Sequence, residues 1–195
     1  MIGHSAQYQT EVTDQANAGN RLLHVDSYLS GGAVRYSAIW TNQSGPQQTA
    51  YHGATEAQHQ SSWTTLSASG WRPVNVSVVS VGGARQITAL WDKAPFGSYV
   101  GLYDIPASQY QATIDTQYNA GRVPHYLDTH VHGGAVFYSA IFSSASLGSW
   151  VARHDRTSAQ YQSDYNTWSG AGYVVKFVTG FDNGGTAKYS AVWTN

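Results

Sequence analysis

Residues 52–92, HGATEAQHQSSWTTLSASGWRPVNVSVVSVGGARQITALWD, contain the helix and hairpin of a folding unit and predict where it recurs. Thr55-Glu-Ala-Gln58 is a capping-box pattern, a hydroxyl at a helix start followed three residues later by Gln. Mostly apolar or aromatic residues follow at helical spacing, His59, Trp63 and Leu66. Gly70 then stands where a left-handed residue ends a helix. Residues 71–80 and 84–91 read as two β-strands, and Gly82-Gly83 between them supplies the positive φ of a tight hairpin turn. The second strand is largely apolar on both faces, which makes it the most buried of the unit. Residues 48–52 read as a further short strand.

The same signals return at a constant spacing of 51 residues, without a gap. Gly19, Gly70, Gly121 and Gly172 keep it, as do the pairs at Gly31, Gly82, Gly133 and Gly184. Ala38, Ala89, Ala140 and Ala191 follow, with Trp40, Trp91, Phe142 and Trp193 two positions on. Thr157-Ser-Ala-Gln160 repeats the capping box, and Pro106 takes the Thr position in the third copy. The expected fold is mainly β with short helices: four 51-residue repeats of one helix and about three strands, in a closed or nearly closed, pseudo-fourfold, propeller-like ring. The expected organisation is a single domain of four repeats, residues 1–51, 52–102, 103–153 and a truncated 154–195. The short strand occurs three times, at 48–52, 99–103 and 150–154. Counting from Met1, the stretch matching 43–51 is lacking after Asn195, so the last repeat is expected to be one strand short. An open strand edge there would offer a homodimer contact.

Composition narrows the function. Of 195 residues 42% are apolar and only 11% charged, where about 25% charged is usual. Net charge is −1 with three lysines, which gives no electrostatic footprint for nucleic acid or anionic membranes. No apolar run approaches the length of a membrane span, so no membrane insertion is expected. No signal peptide is visible in MIGHSAQYQT, which points to a cytoplasmic or non-classically secreted protein. The absence of Cys removes disulfides, thiolate zinc sites and cysteine nucleophiles.

The repeat resembles the bacterial tandem-repeat domain family. The resemblance rests on Arg153-His154-Asp155-Arg156-Thr157-Ser-Ala-Gln-Tyr-Gln, Gly172-Tyr173 and Ala187-Lys-Tyr-Ser-Ala-Val-Trp193, and it spans the chain. That domain precedes the β-lactamase-like catalytic domain of fungal polyglycine hydrolases. The resemblance implies a β-rich, propeller-like array serving as an accessory or recognition domain. The catalytic half of those enzymes requires a Ser-x-x-Lys motif, which this sequence lacks, so catalysis does not carry over. Family members often show His-Gly-Leu-Thr before the helix. Here the stretches are His52-Gly-Ala-Thr55, Tyr103-Asp-Ile-Pro106 and His154-Asp-Arg-Thr157, so the chain varies where a ligand could be selected.

No nucleophile elbow or phosphate loop is present. His130 and His132, with His125 and Asp128 nearby, have metal-ligand spacing on a strand, but the other repeats lack them. A structural metal should recur with the repeat, so no metal and no cofactor is expected. The recurring Gln58 reads as a helix cap, and Gln60 as a bond to the neighbouring unit. The candidate ligand-binding residues lie at the helix entries, His52, Tyr103, Asp104, His154 and Asp155, and on the first strand, Trp71, Arg122 and Tyr173. Aromatic faces beside imidazoles and carboxylates suit sugars: the ring covers the apolar C–H face, and charge-assisted bonds fix the hydroxyls. The expected function is a multivalent, non-enzymatic carbohydrate-binding protein, a lectin, whose partners are glycans or glycoproteins. The alternatives are a protein-recognition or assembly module, and a hydrolase.

Overall fold

The computed structural model describes residues 2–3 and 5–195, with side chains from residue 5 onward; Met1 and His4 lie outside the described residues. Two compact units, Met1–Pro95 and Phe96–Asn195, carry two repeats each. The first unit runs β1 (Ile2–Gly3), α1 (Ser5–Asn17), β2 (Arg21–Ser30) and β3 (Ala33–Thr41), then β4 (Gln48–Ala54), α2 (Glu56–Ala68), β5 (Arg72–Val81) and β6 (Ala84–Asp92). The second runs β7 (Tyr99–Pro106), α3 (Ala107–Asn119), β8 (Val123–His132) and β9 (Ala135–Ser143), then β10 (Trp150–Thr157), α4 (Ser158–Gly170), β11 (Val174–Asn183) and β12 (Thr186–Thr194). Each repeat is thus one helix and one three-stranded antiparallel sheet, ordered β1-β3-β2, β4-β6-β5, β7-β9-β8 and β10-β12-β11.

Local chemistry explains each element. Thr55 and Thr157 close true capping boxes: each hydroxyl accepts from the N–H three residues on, and Gln58 or Gln160 reaches back to the cap N–H. Pro106 occupies the cap position of α3 without a side-chain bond. Each helix ends in a Schellman motif around a left-handed glycine; at α2, Trp71 N–H donates to Leu66 C=O and Gly70 N–H to Ser67 C=O, with Gly70 at φ 75°. Every hairpin turns on two residues, and both glycines of each pair have positive φ, as a type I′ turn requires. Removing one cap tests the local reading. Thr55→Ala should cost about 1 kcal/mol of unfolding free energy by denaturant titration, and Glu56→Gln much less.

The phase of the repeat differs from the sequence reading. The short strand pairs with the hairpin that follows it, β4 on β6, β7 on β9 and β10 on β12. Boundaries at 51/52, 102/103 and 153/154 therefore fall inside β4, β7 and β10. The last sheet has all three strands, so it is not the strand-deficient one that the sequence reading expects. Periodicity cannot reveal this, because a strand between two hairpins can pair with either.

The central strands are buried as expected in three sheets: Trp91, Phe142 and Trp193 are fully enclosed. In the first sheet the central strand is more open, and Trp40 is only half-buried. Within each unit the sheets stack. β2 packs on β5 and β6, and β8 packs on β11 and β12. Val25 shares a core with Leu90, and Leu127 shares one with Val192. The polar layer of each joint has the same form: Ser77 Oγ donates to Asp26 at 2.7 Å, and Thr179 Oγ1 donates to Asp128 at 2.8 Å. No helix among the described residues is long and apolar enough to cross a membrane.

Candidate functional site

The register of each short strand slips between Tyr51 and Ala54, Leu102 and Ile105, and Arg153 and Arg156. The residues in these bulges are His52-Gly53, Tyr103-Asp104 and His154-Asp155. Five of the eight sequence candidates thus sit in one recurring bulge just before a helix. Bulges re-aim side chains that a regular ladder would alternate across the sheet. Gly53 and Asp155 share a register and both have positive φ, 62° and 53°; Asp155 is the one non-glycine residue so placed among the described residues.

His52 and His154 are held by the same aromatic cage. Tyr8 of α1 stacks on Tyr36 of β3 at 4.7 Å, and His52 sets its edge against them at 5.1 and 5.4 Å. Tyr110 of α3 stacks on Tyr138 of β9 at 4.0 Å, and His154 meets them at 5.1 and 5.9 Å. Burial lowers both imidazole pKa values; at His154 Arg156 adds to this and Asp155 opposes it. Neutral imidazoles at neutral pH can both donate and accept hydrogen bonds.

Beside His154 a cleft of about 620 Å³ lies between α3 and β10. Gln111, Asp115, Tyr118, Trp150, Arg153 and His154 line it. Tyr118, 60% exposed, meets Trp150 edge-on at 6.0 Å. Arg153 is held over the Trp168 ring at 5.3 Å, and Gln111 donates to Asp115 at 2.9 Å. The cleft therefore offers an aromatic wall, a carboxylate, an amide, a guanidinium and an imidazole. The positions 102 earlier in the chain hold Thr13, Ala16, Gln48 and Tyr51 in place of Asp115, Tyr118, Trp150 and Arg153. The cage recurs in both units, but the aromatic wall belongs to the second.

The remaining candidates are not brought into this cleft. Asp155 points its carboxylate at Lys188, 3.4 Å away. Asp104 is exposed in the bulge of β7. Trp71, Arg122 and Tyr173 each follow the C-terminus of a helix, about 20 Å of helix away from the bulge that precedes it. Trp71 lies under the Lys93 ammonium at 4.9 Å, Arg122 Nε donates to Gln117 at 2.7 Å, and Tyr173 stands edge-on to Trp168 at 5.6 Å. Gln111 and Gln162, at the register of Gln60, bond residues four further along their own helix rather than a neighbouring unit. His130 and His132 both pack on Phe137, His125 bonds Ala145 C=O and Asp128 accepts from Thr179. Phe137 thus engages two of those four side chains, and Ala145 and Thr179 one each.

Fold and cage together define a tandem β-rich repeat protein. The family model for the polyglycine hydrolase-like structural repeat matches it four times, over residues 4–43, 45–94, 98–145 and 148–195. The chain belongs to that family. Its second, third and fourth matches each begin just ahead of the short strand, the same phase that the sheets adopt. A search of curated proteins found no match to the chain.

Proposed function

We propose that this protein is a non-catalytic, multivalent carbohydrate-binding protein. Its partners are glycans or glycoproteins, and its best-equipped site is the cleft between α3 and β10. The observation that carries this reading is the Trp150–Tyr118 pair, which lines one open cleft together with Gln111, Asp115, Arg153 and His154. A pyranose lays its C–H face on such a wall and turns its hydroxyls toward the polar side. Multivalency rests on the recurrence of the imidazole–tyrosine cage at His52 and His154, so weak sites on one body gain by avidity. The finer architecture belongs to the same proposal. The four sheets act as blades of a nearly closed, pseudo-fourfold, propeller-like ring, because each joint seen within a unit uses the same two sheet faces.

A glycan array followed by calorimetry tests the reading. Trp150→Ala should weaken a sugar hit by about thirty-fold, near 2 kcal/mol, in protein that circular dichroism shows to be folded. A blank array and no haemagglutination from folded protein would sink it, as would unchanged affinity in Trp150→Ala. A second reading, an assembly module, is favoured by one observation: Ile39 and Val178 are large apolar residues left 58% and 51% exposed.

A further inference from the structure

Asn183 and Gly184 form the only Asn-Gly pair in the sequence. The other repeats place Ser30, Val81 and His132 at the register of Asn183. Asn183 ends β11 and pairs with Thr186, and Gly184 and Gly185 make the two-residue turn between them. All four residues are exposed. Gly184 has φ 62°, and a Cβ added there would meet nothing within 4 Å. Gly185 N–H donates to Asp182 Oδ1 at 2.7 Å, which holds the turn. Among the described residues no hydrogen bond holds the Asn183 carboxamide or the Gly184 N–H. Every other asparagine inside the chain precedes a residue that bears a side chain. Of these, Asn20, Asn75 and Asn166 are held by hydrogen bonds to Gln15, Val25 C=O and Gln162.

We propose that Asn183 is a site of spontaneous deamidation, so that the turn of the fourth repeat exists in an amide and an acidic form. Asparagine is a thermolabile residue. Its carboxamide is attacked most readily by a backbone nitrogen whose own residue carries no side chain to crowd the approach. The last rung of a hairpin opens at little cost, which lets the Asn183 carboxamide swing onto the Gly184 nitrogen. That nitrogen gives up its proton and bonds to Asn183 Cγ, closing a succinimide ring. The Cγ–Nδ2 bond breaks, and the amide leaves as ammonia, carrying the proton away. Water then opens the ring. Opening at the side-chain carbonyl gives Asp. Opening at the main-chain carbonyl gives isoaspartate, in which the backbone runs through the side chain. Nothing is oxidised or reduced, and water is the sole co-reactant. Either product adds one negative charge beside Asp182, in a chain whose net charge is −1. Every reacting protein atom belongs to Asn183 or Gly184, so the step needs no contact beyond this turn and does not rest on the carbohydrate reading.

Incubation of the purified protein at mildly alkaline pH, followed by peptide mapping, tests this. The same chain unfolded in guanidinium sets the incubation time, chosen so that its Asn183 converts. Over that time the folded protein should release one ammonia per chain and shift to the acidic side on ion exchange. The peptide containing Asn183 should gain the mass difference between a carboxylic acid and a carboxamide, and the protein should become a substrate for isoaspartyl methyltransferase. Asn183→Ser restores the residue of the first repeat at this register; it should keep its starting charge and mass, with circular dichroism like wild type. Folded protein that keeps its mass while the unfolded chain converts overturns the proposal. So does conversion that begins at another asparagine, or a product that contains Asp but no isoaspartate, since only the ring yields both.

Discussion

Tyr110→Ala should destabilise the protein by about 3–5 kcal/mol, the range for deleting a fully buried aromatic ring. Tyr110 is wholly enclosed, stacked on Tyr138 and packed with Ile105, Ile114 and Leu127. The cavity would open in the core of the second unit and beneath His154, so any sugar affinity at the adjoining cleft should fall as well. The conservative change separates packing from polarity. Among the described residues the Tyr110 hydroxyl is buried without a hydrogen-bond partner, and its pKa is raised by that burial. A buried polar group in that condition costs about 1–3 kcal/mol, so Tyr110→Phe should be neutral or stabilising by about 1 kcal/mol. Urea titrations of the three proteins decide it. Loss of less than 1 kcal/mol in Tyr110→Ala, or a large loss in Tyr110→Phe, would contradict this account of the core.

Acidification should weaken the first unit through His59. Its imidazole is 1% exposed, bonds the Tyr51 hydroxyl through Nδ1 at 2.7 Å, and lies against Trp63. Burial lowers its pKa to about 4 from an ordinary 6.5. The unfolded chain therefore binds a proton below about pH 6.5 that the folded chain refuses until about pH 4. The stability conferred by a neutral His59 is complete above pH 6.5 and is lost as pH falls. The loss levels off near pH 4, at about 3 kcal/mol, roughly 1.4 kcal/mol per pH unit. His59→Gln should remove most of that slope between pH 6.5 and 4 while lowering stability at pH 7. Denaturant midpoints measured across that interval check both statements; an unchanged slope in His59→Gln would assign the acid sensitivity elsewhere.

The repeat was legible because it is written in residues with strong local meaning. Capping threonines, helix-ending glycines and paired turn glycines have local consequences that need no tertiary context, and each came out where the sequence put it. Partner choice between strands was not legible. The sequence marks a short strand at residues 48–52, inside the observed Gln48–Ala54, but the 51-residue period is the same whether that strand joins the hairpin before or after it. The residues of the proposed cleft were half legible. His154 was found through its place before a helix, but Trp150, Tyr118, Asp115 and Arg153 come from a strand start and a helix end that periodicity treats as ordinary. The signal lay in departure from the repeat: Trp150 and Tyr118 stand where the register 102 earlier has Gln48 and Ala16. The first-strand candidates Trp71, Arg122 and Tyr173 lie apart from the bulges because a helix separates them.

The hydroxyl–carboxylate bonds at the sheet joints recur at twice the sequence period, Asp26 with Ser77 and Asp128 with Thr179. Adjacent copies are therefore not interchangeable parts. Deleting one copy of a pair would strip a carboxylate of its hydroxyl, or a hydroxyl of its carboxylate. Removing or grafting both together keeps that bond intact. The module that an ancestor could duplicate, or an engineer could transplant, is the tandem pair.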